Sequence, residues 1–140
     1  MIKRSGNKYH NSKVEYDGYV FDSKREMQAY IRLKDIQSKG LISGLEVHPK
    51  WELQPKLTET FVKHLKTKDK VCERVVQGNI TYTADFAFDW HGERVVIDVK
   101  ISKSLLPKEY ALKKKMMRYV HGITITEVFE LKDLDKYDKE

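Results

Sequence analysis

The sequence lacks the features that secreted, membrane-spanning and disulfide-stabilised proteins need. Its one cysteine, Cys72, cannot form an internal disulfide, and a lone thiol is typical of a reducing compartment. The apolar runs are far shorter than the roughly 20 residues that cross a bilayer. No charged-then-apolar signal sequence opens the chain. These absences predict a cytoplasmic protein with no membrane partner.

Motifs for several common chemistries are also missing. The histidines have no zinc-ligand spacing in the sequence; they are His10, His48, His64, His91 and His121. There is no Gly-rich phosphate loop, no G-x-S-x-G nucleophile elbow and no Cys/His nucleophile pair. A zinc site, a P-loop nucleotide site and a covalent hydrolase are therefore not expected.

Length and charge indicate a basic single domain. The 140 residues are 40% hydrophobic and 34% charged, and the net charge of +6 favours a polyanionic partner. We predict a flexible basic arm at 1–13, one domain at 14–131 and a charged, frayed tail at 132–140. The arm holds four cations that either contact phosphates or only keep the chain soluble: Lys3, Arg4, Lys8 and Lys13.

The stretch 82–100, YTADFAFDWHGERVVIDVK, predicts two strands joined by a tight turn at 91–92. Apolar residues alternate along both strands, at Phe86, Phe88 and Trp90 and then at Val95, Ile97 and Val99. A two-residue turn pairs Trp90 with Glu93, and the same register sets Asp85 opposite Asp98. Asp85, Asp98 and Lys100 then lie on the face opposite the apolar residues.

Two carboxylates about 5 Å apart repel each other unless a positive charge lies between them. A divalent cation that prefers oxygen ligands, Mg²⁺ or Mn²⁺, would fill that role, with Lys100 beside it. The alternative is a cross-strand salt bridge on a solvated sheet face, in which Lys100 neutralises both Asp85 and Asp98. The spacing alone leaves both interpretations open.

A third acid has two interpretations as well. Ser23 begins the helical stretch SKREMQAYIRLKDIQSKG, which ends at Gly40. Ser23 and Glu26 match a capping box, in which the glutamate bonds the amide of the cap residue. Glu26 also shares a helix face with Tyr30 and Leu33, which would turn it towards a sheet.

The other segments are predicted from alternation and turn residues. Residues 14–21 form a hairpin around Asp17-Gly18, residues 41–55 form short extended pieces, and residues 56–79 form a basic hairpin that is an insertion in the domain. A helix runs from about Pro107 to Gly122 and a strand covers 123–131. This second helix has a basic side, which is made of Lys113, Lys114, Lys115 and Arg118.

This order of elements resembles the PD-(D/E)XK nuclease superfamily. The resemblance is carried by the helix with Glu26, the strand with Asp85, the strand with Asp98-Val99-Lys100, the basic helix and the last strand. It implies an α/β (α+β) fold with an α-β-β-β-α-β core and a mixed sheet flanked by helices. Ala84 replaces the proline of the superfamily name. Within the superfamily the chain is most similar to small phage proteins of the endonuclease I and Hjc types of Holliday junction resolvase.

The resemblance implies a Mg²⁺- or Mn²⁺-dependent endodeoxyribonuclease, active as a homodimer on four-way DNA junctions in the cytoplasm of a phage-infected host. Asp85, Asp98 and the backbone carbonyl of Val99 would bind one metal ion, and Glu26 a second ion or its water. Lys100 would orient or deprotonate the attacking water. The arm and the basic side of the second helix would contact DNA. The alternatives are another branched-DNA, nicking or restriction-like nuclease, a non-catalytic DNA-binding accessory protein, and a basic structural protein with salt-bridged acids.

Overall fold

A computed structural model describes residues 12–140, in which strands outnumber helices. The strands are β1 (Val14–Tyr16), β2 (Tyr19–Phe21), β3 (Ser43–Val47), β4 (Lys50–Gln54), β5 (Leu57–His64), β6 (Asp69–Gln77), β7 (Ile80–Thr83), β8 (Phe86–Trp90), β9 (Glu93–Val99) and β10 (Thr126–Val128). The helices are α1 (Lys24–Ser38) and α2 (Lys108–His121), with 3₁₀ helices at Lys103–Leu105 and Leu131–Tyr137. No helix within the described residues is long and apolar enough to cross a membrane.

The chain divides into two compact units. The first contains the described residues up to Pro49, Ala84–Leu106 and Ile125–Glu140, and the second contains Lys50–Thr83 and Pro107–Thr124. The single domain over 14–131 stays a prediction; the segment Lys50–Thr83, which includes the predicted 56–79 insertion, belongs with α2 to the second unit.

In the first unit, a hairpin leads into a capped helix. Asp17 and Gly18 have positive φ angles of 52° and 78°, and they turn β1 back onto β2 as predicted. The Ser23 hydroxyl accepts a hydrogen bond from the amide of Glu26 at 3.2 Å, which caps α1. The helix stops before Gly40, whose φ of 76° is the left-handed value that favours glycine. The predicted bounds of this helix are confirmed.

The first unit is built around a four-stranded mixed sheet with strand order β10-β9-β8-β3. The β3/β8 and β8/β9 pairs are antiparallel, whereas β10 runs parallel to β9. The turn at His91-Gly92 pairs Trp90 with Glu93 and Phe86 with Ile97, so the predicted register is confirmed. The strand predicted over 123–131 is shorter than expected, since only Thr126–Val128 pairs with β9.

The core of this unit lies between α1 and one face of the sheet. Alternation along the strands puts Phe86, Phe88 and Ile97 on that face, and all three are fully buried. The helix contributes its own apolar stripe at helical spacing, made of Ala29, Tyr30, Leu33 and Ile36. The mixed α+β class predicted from the sequence is therefore present.

The predicted charged tail at 132–140 is corrected, because its apolar residues belong to the core. Leu134 and Tyr137 are spaced three apart on the 3₁₀ helix Leu131–Tyr137, so they share one side, and both are buried. The Tyr137 ring meets Phe88 and Trp90 edge to face, with centroids 5.0 and 4.9 Å apart. The segment is held in place by aromatic packing despite its charge.

The second unit consists of strand pairs and one helix. β4 pairs with β7, and β5 pairs with β6 as the long hairpin predicted over 56–79. Most of the hairpin side chains are exposed. Helix α2 follows Pro107 and ends at Gly122, whose φ is 69°, which confirms the predicted position of the second helix.

Candidate metal centre

Asp85 lies directly before β8, and its backbone continues the pairing with β9. The Asp85 amide is shared between the carbonyl oxygen of Ile97 at 3.2 Å and the carboxylate of Asp98 at 3.0 Å. In return, the Asp85 carboxylate accepts a hydrogen bond from the amide of Val99 at 2.7 Å. The predicted juxtaposition of Asp85 and Asp98 is therefore present, and two backbone donors orient the carboxylates.

The acids are in a shielded place and not on an open sheet face. Asp98 is only 4% exposed and Asp85 is half-buried. The ammonium of Lys100 lies 3.8 Å from the Asp98 carboxylate, at the outer limit of an ion pair. The expectation of a solvated face is corrected, because both faces of β9 are covered along Val96–Asp98.

Glu26 joins this site from the first turn of α1. Its carboxylate accepts a hydrogen bond from the amide of Asp22 at 3.3 Å, one residue before the cap residue Ser23. The reciprocal half of the predicted capping box is therefore displaced by one residue. Glu26 is also 9% exposed and lies on the buried side of α1 with Tyr30 and Leu33. Its two predicted roles coexist, since the helix start and the sheet both position the same side chain.

His48 is a site residue that sequence reasoning missed. It follows β3, and the pairing of β3 with β8 continues beyond the strands: the His48 amide donates to the carbonyl of Asp85 at 2.9 Å, and the Ala84 amide donates to that of Pro49 at 3.0 Å. This register sets His48 beside Asp85. No residue spacing points to His48, because β3 and β8 are far apart in the chain.

Glu26, His48 and Asp85 form one cluster of potential metal ligands. One ligand atom from each residue lies within 4.8 Å of the other two. Metal–oxygen bonds of about 2.1 Å separate opposite ligands of an octahedral ion by about 4 Å, so small side-chain movements would close this cluster on one ion. Carboxylate oxygens are the donors that Mg²⁺ and Mn²⁺ prefer, and the cluster fits such an ion.

The site disfavours ionisation of its acids. The pKa of Asp85 is raised from an ordinary 3.8 to about 8, first by burial and then by the charges of Asp98 and Glu26. The pKa of Glu26 is raised from 4.5 to about 7, mainly by burial and by Asp22. Lys100 lowers both pKa values without reversing either shift. A bound dication would remove this mutual repulsion.

The remaining predicted residues are distributed over both units. Val99 pairs with Val128 at the end of β9, next to the acids. Lys3, Arg4 and Lys8 lie outside the described residues, and Lys13 is exposed just before β1. The predicted basic side of α2, made of Lys113, Lys114, Lys115 and Arg118, belongs to the second unit.

Two of the α2 cations have partners in the same unit. Lys113 forms an ion pair with Glu109 at 2.8 Å, and Arg118 donates to the Thr124 hydroxyl at 2.7 Å. Lys115 is exposed. An exposed lysine on a helix contacts a phosphate more readily than one that an adjacent glutamate already neutralises.

Comparison with known proteins gives a family without an assigned chemistry. A protein-family model described as "Protein of unknown function (DUF1064)" matches residues 6–134. No curated protein and no solved structure matches the chain. The chemistry of the site therefore follows from its own residues.

Proposed function

Because the chain belongs to the DUF1064 family, whose function is not known, we propose its activity from its own residues: a metal-dependent endonuclease that hydrolyses DNA phosphodiesters. The observation that carries this proposal is the convergence of Asp85, Asp98 and Glu26 in one shielded site with Lys100 beside it. Two buried acids, Glu26 and Asp98, next to the half-buried Asp85 cost free energy unless a cation uses them.

The order of the elements also supports the proposal. Along the chain, α1, β3, β8, β9, α2 and β10 follow one another in this order, with β4–β7 between β3 and β8, and β10 pairs parallel with β9. This is the α-β-β-β-α-β order that the resemblance to the PD-(D/E)XK superfamily implies. The acids lie where that resemblance expects metal ligands, at the start of β8 and near the end of β9.

Each side chain has a defined task in this proposal. A bound dication supplies Lewis-acid activation of a water and of the scissile phosphate. Asp85 and Glu26 would hold the ion, and Asp98, whose carboxylate accepts a hydrogen bond from the Asp85 amide, would keep the backbone of Asp85 in place. The side-chain nitrogen of Lys100, 3.8 Å from the Asp98 carboxylate, would orient the water and stabilise charge that develops on the phosphate. The products are 5′-phosphate and 3′-hydroxyl ends.

We propose branched DNA, with the four-way junction foremost, as the substrate of a phage-encoded enzyme in the host cytoplasm. A junction has two-fold symmetry, so paired cuts call for a symmetric homodimer with two sites. The net charge of +6 and the exposed Lys13 and Lys115 favour recognition through phosphates and shape.

The direct test is incubation of the purified protein with an immobile junction and with a matched linear duplex, each in Mg²⁺, Mn²⁺ or EDTA. Asp85→Asn should abolish cleavage and preserve junction binding in EDTA. Asp89→Asn is the control, because Asp89 lies on the same strand with an exposed side chain paired to Arg94. Cleavage that survives Asp85→Asn would refute this active site, and equal cutting of both DNAs would refute junction selectivity.

A further inference from the structure

We propose that His48 is a metal ligand, and that it makes this centre selective for a first-row transition dication, with Mn²⁺ as the ion, over Mg²⁺. The proposal rests on the proposed function only in assigning Asp85 and Glu26 to the same centre. It adds a nitrogen donor to a set that was expected to contain oxygen alone.

The imidazole of His48 lies close to the two carboxylates. A ring nitrogen of His48 lies within 4.8 Å of a carboxylate oxygen from Glu26 and of another from Asp85. Metal–nitrogen and metal–oxygen bonds of about 2.0–2.2 Å separate adjacent ligands of an octahedral ion by about 3 Å and opposite ligands by about 4 Å. The three donors are therefore close to the spacing that one ion imposes.

The surroundings of His48 hold its ring in this place. Its amide is bonded to the carbonyl of Asp85, so the two residues remain side by side even when their side chains move. Its φ of 53° is in the left-handed region, which turns the chain sharply before Pro49. The ring packs on the buried Phe21, with centroids 5.9 Å apart. Three separate restraints thus direct one imidazole towards the acids.

The donor set decides which ion is favoured. Mg²⁺ binds oxygen and loses its waters reluctantly, so replacing a water by imidazole gains little for it. First-row transition ions accept imidazole together with carboxylates, and their affinity for a given set of such ligands rises from Mn²⁺ onwards. One nitrogen with two carboxylate oxygens therefore gives a transition ion the advantage over Mg²⁺.

The test measures metal binding in the absence of DNA. The full chain is stripped with EDTA and dialysed, and MnCl₂ is titrated while the electron paramagnetic resonance signal of free Mn²⁺ is followed. MgCl₂ is then titrated against the bound Mn²⁺. His48→Asn is the main variant, because asparagine tolerates a positive φ and supplies an oxygen in place of the ring nitrogen. His64→Asn is the control, since His64 is 79% exposed in the β5/β6 hairpin and pairs with Asp69.

We expect His48→Asn to weaken Mn²⁺ binding by at least about tenfold, since residues that merely support a ligand are worth about ten- to a hundredfold in metal affinity. Mg²⁺ binding should change by less, so the preference for Mn²⁺ shrinks. His64→Asn should change neither affinity. His48→Gly, which removes the side chain and relaxes the positive φ, should reproduce the loss of Mn²⁺ affinity while a thermal melt shows a folded chain.

The contrary results are distinct. Equal effects on both ions would refute selectivity. Unchanged or tighter Mn²⁺ binding in His48→Asn and His48→Gly would show that the imidazole is not a ligand. Mn²⁺ binding that depends on His48 in a protein that cuts no DNA would refute the nuclease and leave this inference standing. Metal-dependent cleavage of DNA by a protein whose Mn²⁺ affinity is independent of His48 would refute this inference and leave the nuclease standing.

Discussion

Asp85 and Asp98 are joined in both directions across two strands. The Asp98 carboxylate accepts a hydrogen bond from the amide of Asp85 at 3.0 Å, and the Asp85 carboxylate accepts one from the amide of Val99 at 2.7 Å. Each acid is therefore oriented by the backbone of the other strand. A substitution at either position disturbs the direction of the other carboxylate.

The first prediction concerns this mutual orientation. Asp98→Asn keeps an oxygen that can accept from the Asp85 amide, whereas Asp98→Ala removes the acceptor from a buried position. We expect Asp98→Ala to be less stable than Asp98→Asn by about 1–3 kcal/mol. Urea unfolding of both variants in EDTA measures the difference. Equal unfolding free energies would mean that this hydrogen bond contributes nothing to the fold.

The second prediction concerns pH. The pKa values of Asp85 and Glu26 are raised in the folded chain to about 8 and about 7, while both are near 4 in the unfolded chain. At pH values between the unfolded-state and folded-state pKa values, the folded chain binds more protons than the unfolded chain. The metal-free protein therefore loses stability as pH rises from about 4 to about 8.

Urea unfolding at pH 5, 6, 7 and 8 in EDTA measures this dependence, and Asp85→Asn removes the contribution of one acid. The difference in unfolding free energy between the variant and the parent should grow in favour of the variant as pH rises through this range. Groups that do not interact with Asp85 cancel in that difference, whereas Glu26 contributes to it through its repulsion with Asp85. A difference that is constant from pH 5 to pH 8 would contradict the raised pKa of Asp85.

The third prediction is stabilisation by metal. An ion that binds only the folded chain adds about 2.7 kcal/mol to the unfolding free energy at a concentration 100 times its dissociation constant. Because Mn²⁺ must displace protons from Asp85 and Glu26, the gain at a fixed Mn²⁺ concentration should be larger at pH 8 than at pH 6. Thermal unfolding with and without MnCl₂ tests this. Asp85→Asn should lose most of the gain and Asp89→Asn should keep it.

The fourth prediction concerns the C-terminal segment. Tyr137 is 1% exposed and packs on Phe88 and Trp90. We expect Tyr137→Ala to lower the unfolding free energy by about 3–5 kcal/mol, the usual cost of removing a buried aromatic ring. The exposed Lys139 gives a control, because Lys139→Ala should change stability by no more than about 0.5 kcal/mol. Similar effects of both substitutions would show that the ring is not part of the core.

The sequence was sufficient for local structure and insufficient for distant pairing. A two-residue turn has one register, so His91-Gly92 determined that Asp85 would face Asp98. No such rule links β3 to β8, whose pairing brings His48 to Asp85. β3 and β8 are separated by four other strands, β4–β7, so their register depends on packing that no short pattern encodes.

The prediction of a charged tail at the C-terminus was wrong for a different physical reason. Residues 132–140 are mostly charged, and this composition predicted an exposed tail although the segment contains the two apolar residues Leu134 and Tyr137. Their spacing of three residues is too short a pattern to predict burial, yet it is enough to place both on one side of a 3₁₀ helix. Charged residues in this segment reach back to α1 instead: Arg32 donates to Asp138 at 2.7 Å.

The ion pair between Arg32 and Asp138 spans 106 positions of the chain, and the hydrogen bond from Arg25 to the Phe129 carbonyl spans 104. Contacts between residues so far apart in the chain form late. Closing a long loop costs conformational entropy before the contact contributes any stability. We expect the β5/β6 hairpin to form early from local contacts and the acidic cluster to assemble in the last, slow step of folding. Any agent that delays this step, such as a dilute denaturant, would prolong the life of a chain that has secondary structure but no assembled acidic cluster.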